Sequence, residues 1–369
     1  MLILNGQQFR SLEDKLFLGG RRIGKVYLGG RLVYPDDVVF VDDTVLIRGI
    51  NLWSTVRSLS YNQYNITSVR FSSSIPSSGT QFINVAMANN SVYAWVDGDT
   101  FYYGYNYEHG FPKANSDCSY LFSNLRNLNY IELGKINWEN VTNCYSMFFF
   151  CSNFNQPITI PDSVTNCADM FYHCYNFNQP ITIPDSVTNC YSMFSYCYNF
   201  NQSITIPDSV TSCVGMFFFC SNFNQPITIP DSVTNCVDMF YHCSNFNQPI
   251  TIPDSVTSCG SMFSHCYNFN QSITIPDSVT SCVGMFYHCS NFNQPITIPD
   301  SVTNCYSMFS YCYNFNQSIT IPDSVANCSS MFSYCYNYAS TVRIPASKAS
   351  TFTASYLGLN LNKATIETY

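Results

Sequence analysis

The sequence predicts a solenoid of short coils, each pairing a two-turn helix with a short strand, and three observations predict it. The stretch PITIPDSVTNCADMFYHCYNFNQ, residues 157–179, returns with small edits every 23 residues, and a fixed period of this size marks stacked repeats. Nine units begin at Cys144, Cys167, Cys190, Cys213, Cys236, Cys259, Cys282, Cys305 and Cys328. Within each unit the apolar period changes from helical to strand-like. Neither piece is long enough to bury its own apolar face, so the core must form between coils.

The unit at Cys144 shows the elements in order. Cys144, Met147, Phe148 and Cys151 fall at i, i+3, i+4 and i+7, one face of a two-turn helix. Thr142 or Asn143 before it supplies a side-chain oxygen for the first free backbone N–H groups. Phe154 follows, and in Ile158-Thr159-Ile160 two isoleucines share one face while the threonine points to the other, as in a strand. Pro161-Asp162-Ser163 turns the chain, and Val164 is the last inward residue. Stacked ~4.8 Å apart, such strands would build a rod on the order of 45 to 50 Å long. The Asn153 and Asn155 equivalents are expected to hydrogen-bond from coil to coil.

The segment IPDSVTNCxxMFxxC resembles the core of the BspA-type leucine-rich repeats. VTNCxxMFxxCxNFNQPI is similar to the MFxxCxxFNQP repeats of bacterial surface lipoproteins, although cysteine here stands where that family often has methionine. The resemblance covers residues 118 to about 350. It implies a leucine-rich-repeat-like solenoid of short parallel strands and short helices in 23-residue coils, with an N-terminal β-rich module added.

Four segments follow. Residues 1–40 read as short strands and Gly turns, a β-hairpin attachment module. Their KVYLGGRLVYP segment resembles small N-terminal modules on tail and other structural proteins of bacteriophages of low-GC bacteria. Residues 41–117 carry the strand-like runs VVFVDDTVLI, ITSVRF, FINVAMA and SVYAWVDGDTFYYGYNY, a β-rich domain leading into the N-terminal cap. Residues 118–350 are the solenoid, opened by the degenerate CSYLFSNL, and 351–369 the C-terminal cap that such an array needs to cover its last core face.

Charge excludes some functions. Only 10% of the 369 residues are charged, and from 136 to 342 there is no Lys or Arg but eleven acids. Such a surface does not neutralise phosphates, so neither nucleic acid nor an anionic membrane is an expected partner. No apolar run reaches the ~18 residues of a membrane span. The opening Met1-Leu-Ile-Leu lacks a basic n-region, so no signal peptide is expected.

The nineteen cysteines and the row of aspartates invite metal or redox readings. The two cysteines of one coil would be two helical turns apart, about 10.5 Å, too far to share a metal or a bond. They are expected to be free, buried thiols. Asp162 and its equivalents offer one carboxylate per turn, where calcium needs six to eight oxygens, and are expected to hydrogen-bond their own backbone. Acid–base chemistry needs two carboxylates in different environments, whereas each coil repeats the same one. Neither an enzyme nor a cofactor is expected.

What varies between the units lies after Met-Phe: Phe149-Phe150, Tyr172-His173, Ser195-Tyr196, Phe218-Phe219, Tyr241-His242, Ser264-His265, Tyr287-His288, Ser310-Tyr311 and Ser333-Tyr334. Edits come in blocks: a serine here goes with Tyr after the second cysteine and with Ser in place of the later proline. The ligand-binding candidates are Phe149, Phe150, Tyr172, His173, Tyr196, Phe218, Phe219, Tyr241, His242, His265, Tyr287, His288 and Tyr311, because aromatics with polar tips offer large contact area at modest entropic cost. The competing face carries Thr159 and its equivalents. The expected function is a non-enzymatic phage virion protein, in a tail or other receptor-facing position. It would bind a host surface glycan or protein through the coils and other virion proteins through the N-terminal module, and self-association is compatible with it. The alternatives are a bacterial surface adhesin and a purely structural virion decoration protein.

Overall fold

The computed structural model describes the strand segments between residues 2 and 33, and residues 65–72, 82–84, 92–105, 113–360 and 362–369. The run VVFVDDTVLI, His109 and the second half of FINVAMA lie outside the described residues. Two compact units are present: residues Met1–Gln156 with Pro161–Asn166, and Pro157–Ile160 with Cys167–Tyr369. The expected boundaries at 40 and 117 both fall inside the first unit.

In the first unit, β1 (Leu2–Leu4), β2 (Gln7–Leu12), β3 (Lys15–Leu18) and β4 (Arg21–Ile23) form an antiparallel sheet in chain order. β5 (Val26–Leu28) and β6 (Arg31–Val33), both from the KVYLGGRLVYP stretch, pair antiparallel. β7 (Ser68–Ser72), β8 (Phe82–Asn84), β9 (Val92–Asp97), β10 (Thr100–Tyr105) and β11 (Tyr130–Ile131) make a second sheet in the order β11-β7-β10-β9-β8. β11 is the strand of the first coil, which opens at Cys118. Its parallel pairing with β7 extends the β-rich sheet into the repeats.

The second unit is a leucine-rich-repeat-like solenoid of 23-residue coils, as the period predicts, but its turns are not helices. Counting the leading cysteine as position 0, the N–H groups at positions 3 and 7 close three-residue turns: in the Cys190 coil, Met193 donates to Cys190 and Cys197 to Phe194, at 3.2 and 2.9 Å. Position 5 closes a turn as well, Ser195 donating to Ser192 at 3.0 Å, whereas the amides at positions 2, 4 and 6 point to the next coil. Ser192, Phe194 and Tyr196 donate to the carbonyls of Val214, Met216 and Phe218 at 3.0, 3.0 and 2.6 Å. A helix directs every amide along its own axis and cannot do this. The backbone reaches the alternative by entering the left-handed region twice per coil, as at Ser192 (φ 48) and Tyr196 (φ 61). The inward set of positions 0, 3, 4 and 7 survives, because consecutive turns bring the same four side chains to the core.

Two left-handed residues cost ~1–2 kcal/mol each. Each coil offsets this by burying Cys, Met, Phe, Cys, Phe, Ile, Ile and Val, of which the larger contribute about 1.5–3 kcal/mol apiece. The phenylalanines form two ladders: Phe171 lies 4.2 Å from Phe177 in its own coil and 5.7 Å from Phe194 in the next, nearly parallel to both.

The Ile-Thr-Ile segments keep the expected alternation, with Ile181 and Ile183 buried and Thr182 exposed. Among the described coils of this unit, however, a strand forms only at β12 (Ile319–Thr320), which pairs in parallel with β13 (Thr341–Ile344), and β13 with β14 (Thr365–Thr368). The reason is proline. Most coils have Pro before and after Ile-Thr-Ile, which removes donors at both ends. Ser318 and Thr341 stand at the first of those positions in two adjacent coils, which therefore both keep the donor.

Asparagine ladders replace much of the missing sheet. Asn199 donates its side-chain amide to Asn176 at 3.2 Å, and Asn178 Oδ1 accepts the Asn201 N–H at 2.9 Å, contacts that recur along the coils as the Asn153 and Asn155 positions predict. The Pro-Asp-Ser-Val turn, where the aspartate is expected to bond its own backbone, is closed instead by Val187 N–H to Pro184 O, and serine ties it to its neighbour, Ser209 to Val187 O. The C-terminal helix α1 (Ala354–Leu357), with Thr353 as its N-cap, brings the Tyr356 and Leu357 carbonyls to the N–H groups of Ser330 and Phe332, both at 2.8 Å.

All nineteen cysteines are free thiols, and all but Cys335 are buried. The thiol at position 7 donates to the Phe carbonyl of the preceding coil, as Cys220 does to Phe194 at 3.0 Å. Burial pushes Cys190, Cys213 and Cys259 up to about 12. Alkylation of the native protein should therefore label at most Cys335, and all nineteen cysteines after denaturation under non-reducing conditions. Recovery of most of them as disulfides by mass spectrometry would overturn this account.

Because hydrogen bonds and ladders repeat per coil, deleting residues 213–235 should leave a cooperative fold whose melting temperature shifts by only a few degrees. Deleting eleven residues from the same place should abolish the cooperative transition. Equal loss in both, read by calorimetry, would refute the coil as the structural unit.

Candidate functional site

Positions 5 and 6 face outward from the turn strip. In the second unit position 6 is occupied by His173, Tyr196, Phe219, His242, His265, His288, Tyr311 and Tyr334, each with φ between 59 and 63°. Bulky side chains are unfavourable there, whereas Gly or Asn adopts this conformation readily. Asn124, at the same position of the first coil, does so at φ 64°. The rings form one continuous stack: His173–Tyr196 at 4.1 Å, Tyr196–Phe219 at 4.8 Å, Phe219–His242 at 4.2 Å and His242–His265 at 3.9 Å. It continues through His265–His288 at 5.0 Å, His288–Tyr311 at 4.6 Å and Tyr311–Tyr334 at 4.4 Å, no pair tilted by more than 18°. Ring faces are covered by one another. The stack presents ring edges.

Position 5 mixes large and small side chains, and the mixture is a packing solution. Ser195, Ser264 and Ser310 are buried. The ring at position 5 of the preceding coil leans over each toward the ring beside it: Tyr172–Tyr196 at 5.5 Å, Tyr241–His265 at 5.3 Å and Tyr287–Tyr311 at 5.5 Å. Where two aromatics follow in sequence, Phe218 and Tyr241 stack at 4.7 Å. Eleven of the candidate residues thus form one surface in the second unit. Phe149 and Phe150, in the first, pack 4.6 Å apart beside Tyr120 and Arg126.

The candidate set omits position 8, where tyrosines interrupt a row of serines. Tyr198 and Tyr267 are 37% and 36% exposed, and Tyr336 is 63% exposed. The Tyr/Ser alternation after each second cysteine is the signal that points to it. On the Thr face, a groove of about 980 Å³ runs over three coils, lined by Ile204, Thr205, Ile227, Thr228, Ile250 and Thr251 among others. Among the described residues no group of three or more His, Cys, Asp or Glu is placed to hold a metal ion, and no helix is long and apolar enough to cross a membrane.

Burial holds the imidazoles neutral, with His173 and His265 pushed down to about 4 and His242 and His288 lowered as well. His265 is opposed further by the charge His242 and His288 would carry. Folded values below the unfolded one mean stability is fully present above about pH 6.5 and is lost as pH falls toward about 4. The melting temperature should drop across that window. Replacing His242, His265 and His288 together by Phe should flatten the drop, and an unchanged drop would show that the column is not its source.

Two solved structures are similar to the chain. One is a leucine-rich repeat protein from Bacteroides ovatus ATCC 8483, 23% identical over 62% of this chain and 64% of that one, with a TM-score of 0.46. The other is a leucine-rich cell surface protein from Faecalibacterium prausnitzii A2-165, 23% identical over 74% of this chain and 86% of that one, with a TM-score of 0.44. The chain spans less than two thirds of the length of the first. No curated protein matches it. A family model matches four overlapping stretches, residues 116–228, 183–275, 207–297 and 253–347. Because these together span more than half of its residues, the chain belongs to the family described as "Mycoplasma protein of unknown function, DUF285".

Proposed function

We propose that this chain is a non-enzymatic recognition protein of the bacterial cell surface, binding a neutral, polar ligand along the outward strip of its coils. The observation that carries this reading is the column at position 6: eight histidine, tyrosine and phenylalanine side chains held in left-handed backbone where Asn or Gly would serve the fold at lower cost. Strain retained coil after coil points to a use for the rings themselves. The edges they present are uncharged, and the tyrosines among them carry hydroxyls that can hydrogen-bond. With no Lys or Arg from 136 to 342, ionic contact with an anionic ligand is absent from this stretch.

A second reading places the chain in a phage particle, as a tail or other receptor-facing component held to other virion proteins by residues 1–40. It rests on the resemblance of KVYLGGRLVYP to N-terminal modules of phage structural proteins. Electron microscopy with antibody against residues 1–40 separates the two placements, by label on the cell envelope or on particles.

Replacing His173, Tyr196 and Tyr311, at position 6, by Asn, which accepts the left-handed backbone, should lower cell adsorption several-fold while the fold persists. Raising salt from about 50 to about 500 mM should change adsorption less than about twofold. The competing set is Thr205, Thr228 and Thr251 to Lys, in the groove. If only that set weakens adsorption, the Thr face is the binding face. If neither does, the coils act as a spacer and the recognition reading fails.

A further inference from the structure

The groove on the Thr face uses its backbone differently from the turn strip. Residues 204–206, 227–229 and 250–252 make no hydrogen bond to another described backbone group, whereas the strip of the same coils bonds from coil to coil. Spacing acts here together with proline. Phe200 and Phe223 lie 6.1 Å apart, and Phe223 and Phe246 6.0 Å, each four residues before the start of a segment, where a parallel ladder needs ~4.8 Å. The groove, about 980 Å³ over three coils, is bordered by Asp208 and Asp231. Thr205, Thr228 and Thr251 stand exposed in it, the isoleucines beside them are buried, and both carboxylates are exposed. From 136 to 342 there is no Lys or Arg, so these coils supply no cation to neutralise them.

We propose that this groove is a second binding site, taking an extended polypeptide segment that carries a basic residue at every second position and lies along the row of coils. It goes beyond the recognition reading, because it concerns the other face and a charged rather than a neutral ligand. Charge complementarity and spacing select this occupant. On one side of an extended chain, side chains recur every ~6.6–6.8 Å, below ~1 Å per coil from the repeat of the phenylalanine ladder. Successive lysines or arginines therefore meet one aspartate per coil, and their long flexible stems absorb the difference while lying against Thr methyl groups and the exposed proline ring of Pro226. The open backbone of the groove favours an extended partner as well. Such a segment brings N–H and C=O groups of its own that need partners, whereas a helix has already paired most of its own internally. Because both carboxylates are exposed, each ionic contact is weak and screened, and binding depends on salt.

The probe is a peptide of about ten residues alternating Lys and Thr, titrated into the full chain by calorimetry at about 20 mM salt. A helical peptide with Lys at every fourth position and the small polycation spermine are the comparison ligands. The expected result is binding of the alternating peptide that weakens several-fold at about 200 mM salt. Asp208→Asn with Asp231→Asn should also weaken it several-fold, and Thr228→Trp, which fills the groove, should do the same. Asp277→Asn with Asp300→Asn makes the same change of net charge outside the groove and should leave binding within about twofold. All these positions are exposed, so the melting temperature should hold in every variant. The proposal is overturned if the alternating peptide does not bind, or if the pair at 277 and 300 weakens it as much as the pair at 208 and 231. Equal or tighter binding of spermine or of the helical peptide overturns it too. The Asn replacements at position 6 should leave peptide binding unchanged. Adsorption lost in those variants with no peptide binding by the parent chain would leave the strip reading standing and remove the groove site. Peptide binding lost in Asp208→Asn with Asp231→Asn, with adsorption indifferent to position 6, would do the reverse.

Discussion

The rest of the second unit depends on a hydrogen bond between coils: the N–H at an even position of one turn strip meeting the carbonyl one coil further on. Phe194 to Met216 and Phe217 to Met239, both at 3.0 Å, are two rungs of it. Buried backbone groups must be paired, and with proline bracketing most Ile-Thr-Ile segments the strip and the asparagine ladders do much of that pairing. Left-handed residues, turn-by-turn inward packing and the two outward ring columns follow from aiming those amides sideways. So does the C-terminal cap, because the last coil would otherwise end with donors that have nowhere to go.

Packing between coils accounts for part of the variation at position 5. Three rings at position 5 lean over a serine of the next coil, Tyr172 over Ser195, Tyr241 over Ser264 and Tyr287 over Ser310, whereas Phe218 stacks on Tyr241. Part of the variation that marks this strip in the sequence is thus steric accommodation. The left-handed aromatics at position 6 and the unequal filling of position 8 are not explained that way, and they are the features that point to recognition.

Charge and thiol chemistry fit a surface built from neutral groups. Every described carboxylate of the Asp-Ser turn is exposed, the imidazoles are held neutral by burial, and the thiols are held protonated by the same cause. Lys348, whose ammonium reaches the carbonyls of Asp323 and Val325, belongs to the C-terminal segment that closes the last turn.

The sequence by itself determined the period, the coil boundaries, the inward residues at positions 0, 3, 4 and 7, the asparagine contacts and the free thiols, because identical residues at a fixed spacing must stack on themselves. It also contained a sign against the helix. Position 2 of the nine repeats is always Ser, Asp or Gly, as at Ser192, Asp238 and Gly215, residues that tolerate left-handed backbone and disfavour helix interiors. Only the tertiary structure decided that the strip is a run of turns, because a pattern of i, i+3, i+4 and i+7 is shared by a helix and by consecutive turns, and the choice depends on where the amides find partners. The covering of one ring face by the next along position 6 is likewise a property of adjacent coils, invisible until residues 23 apart are placed side by side.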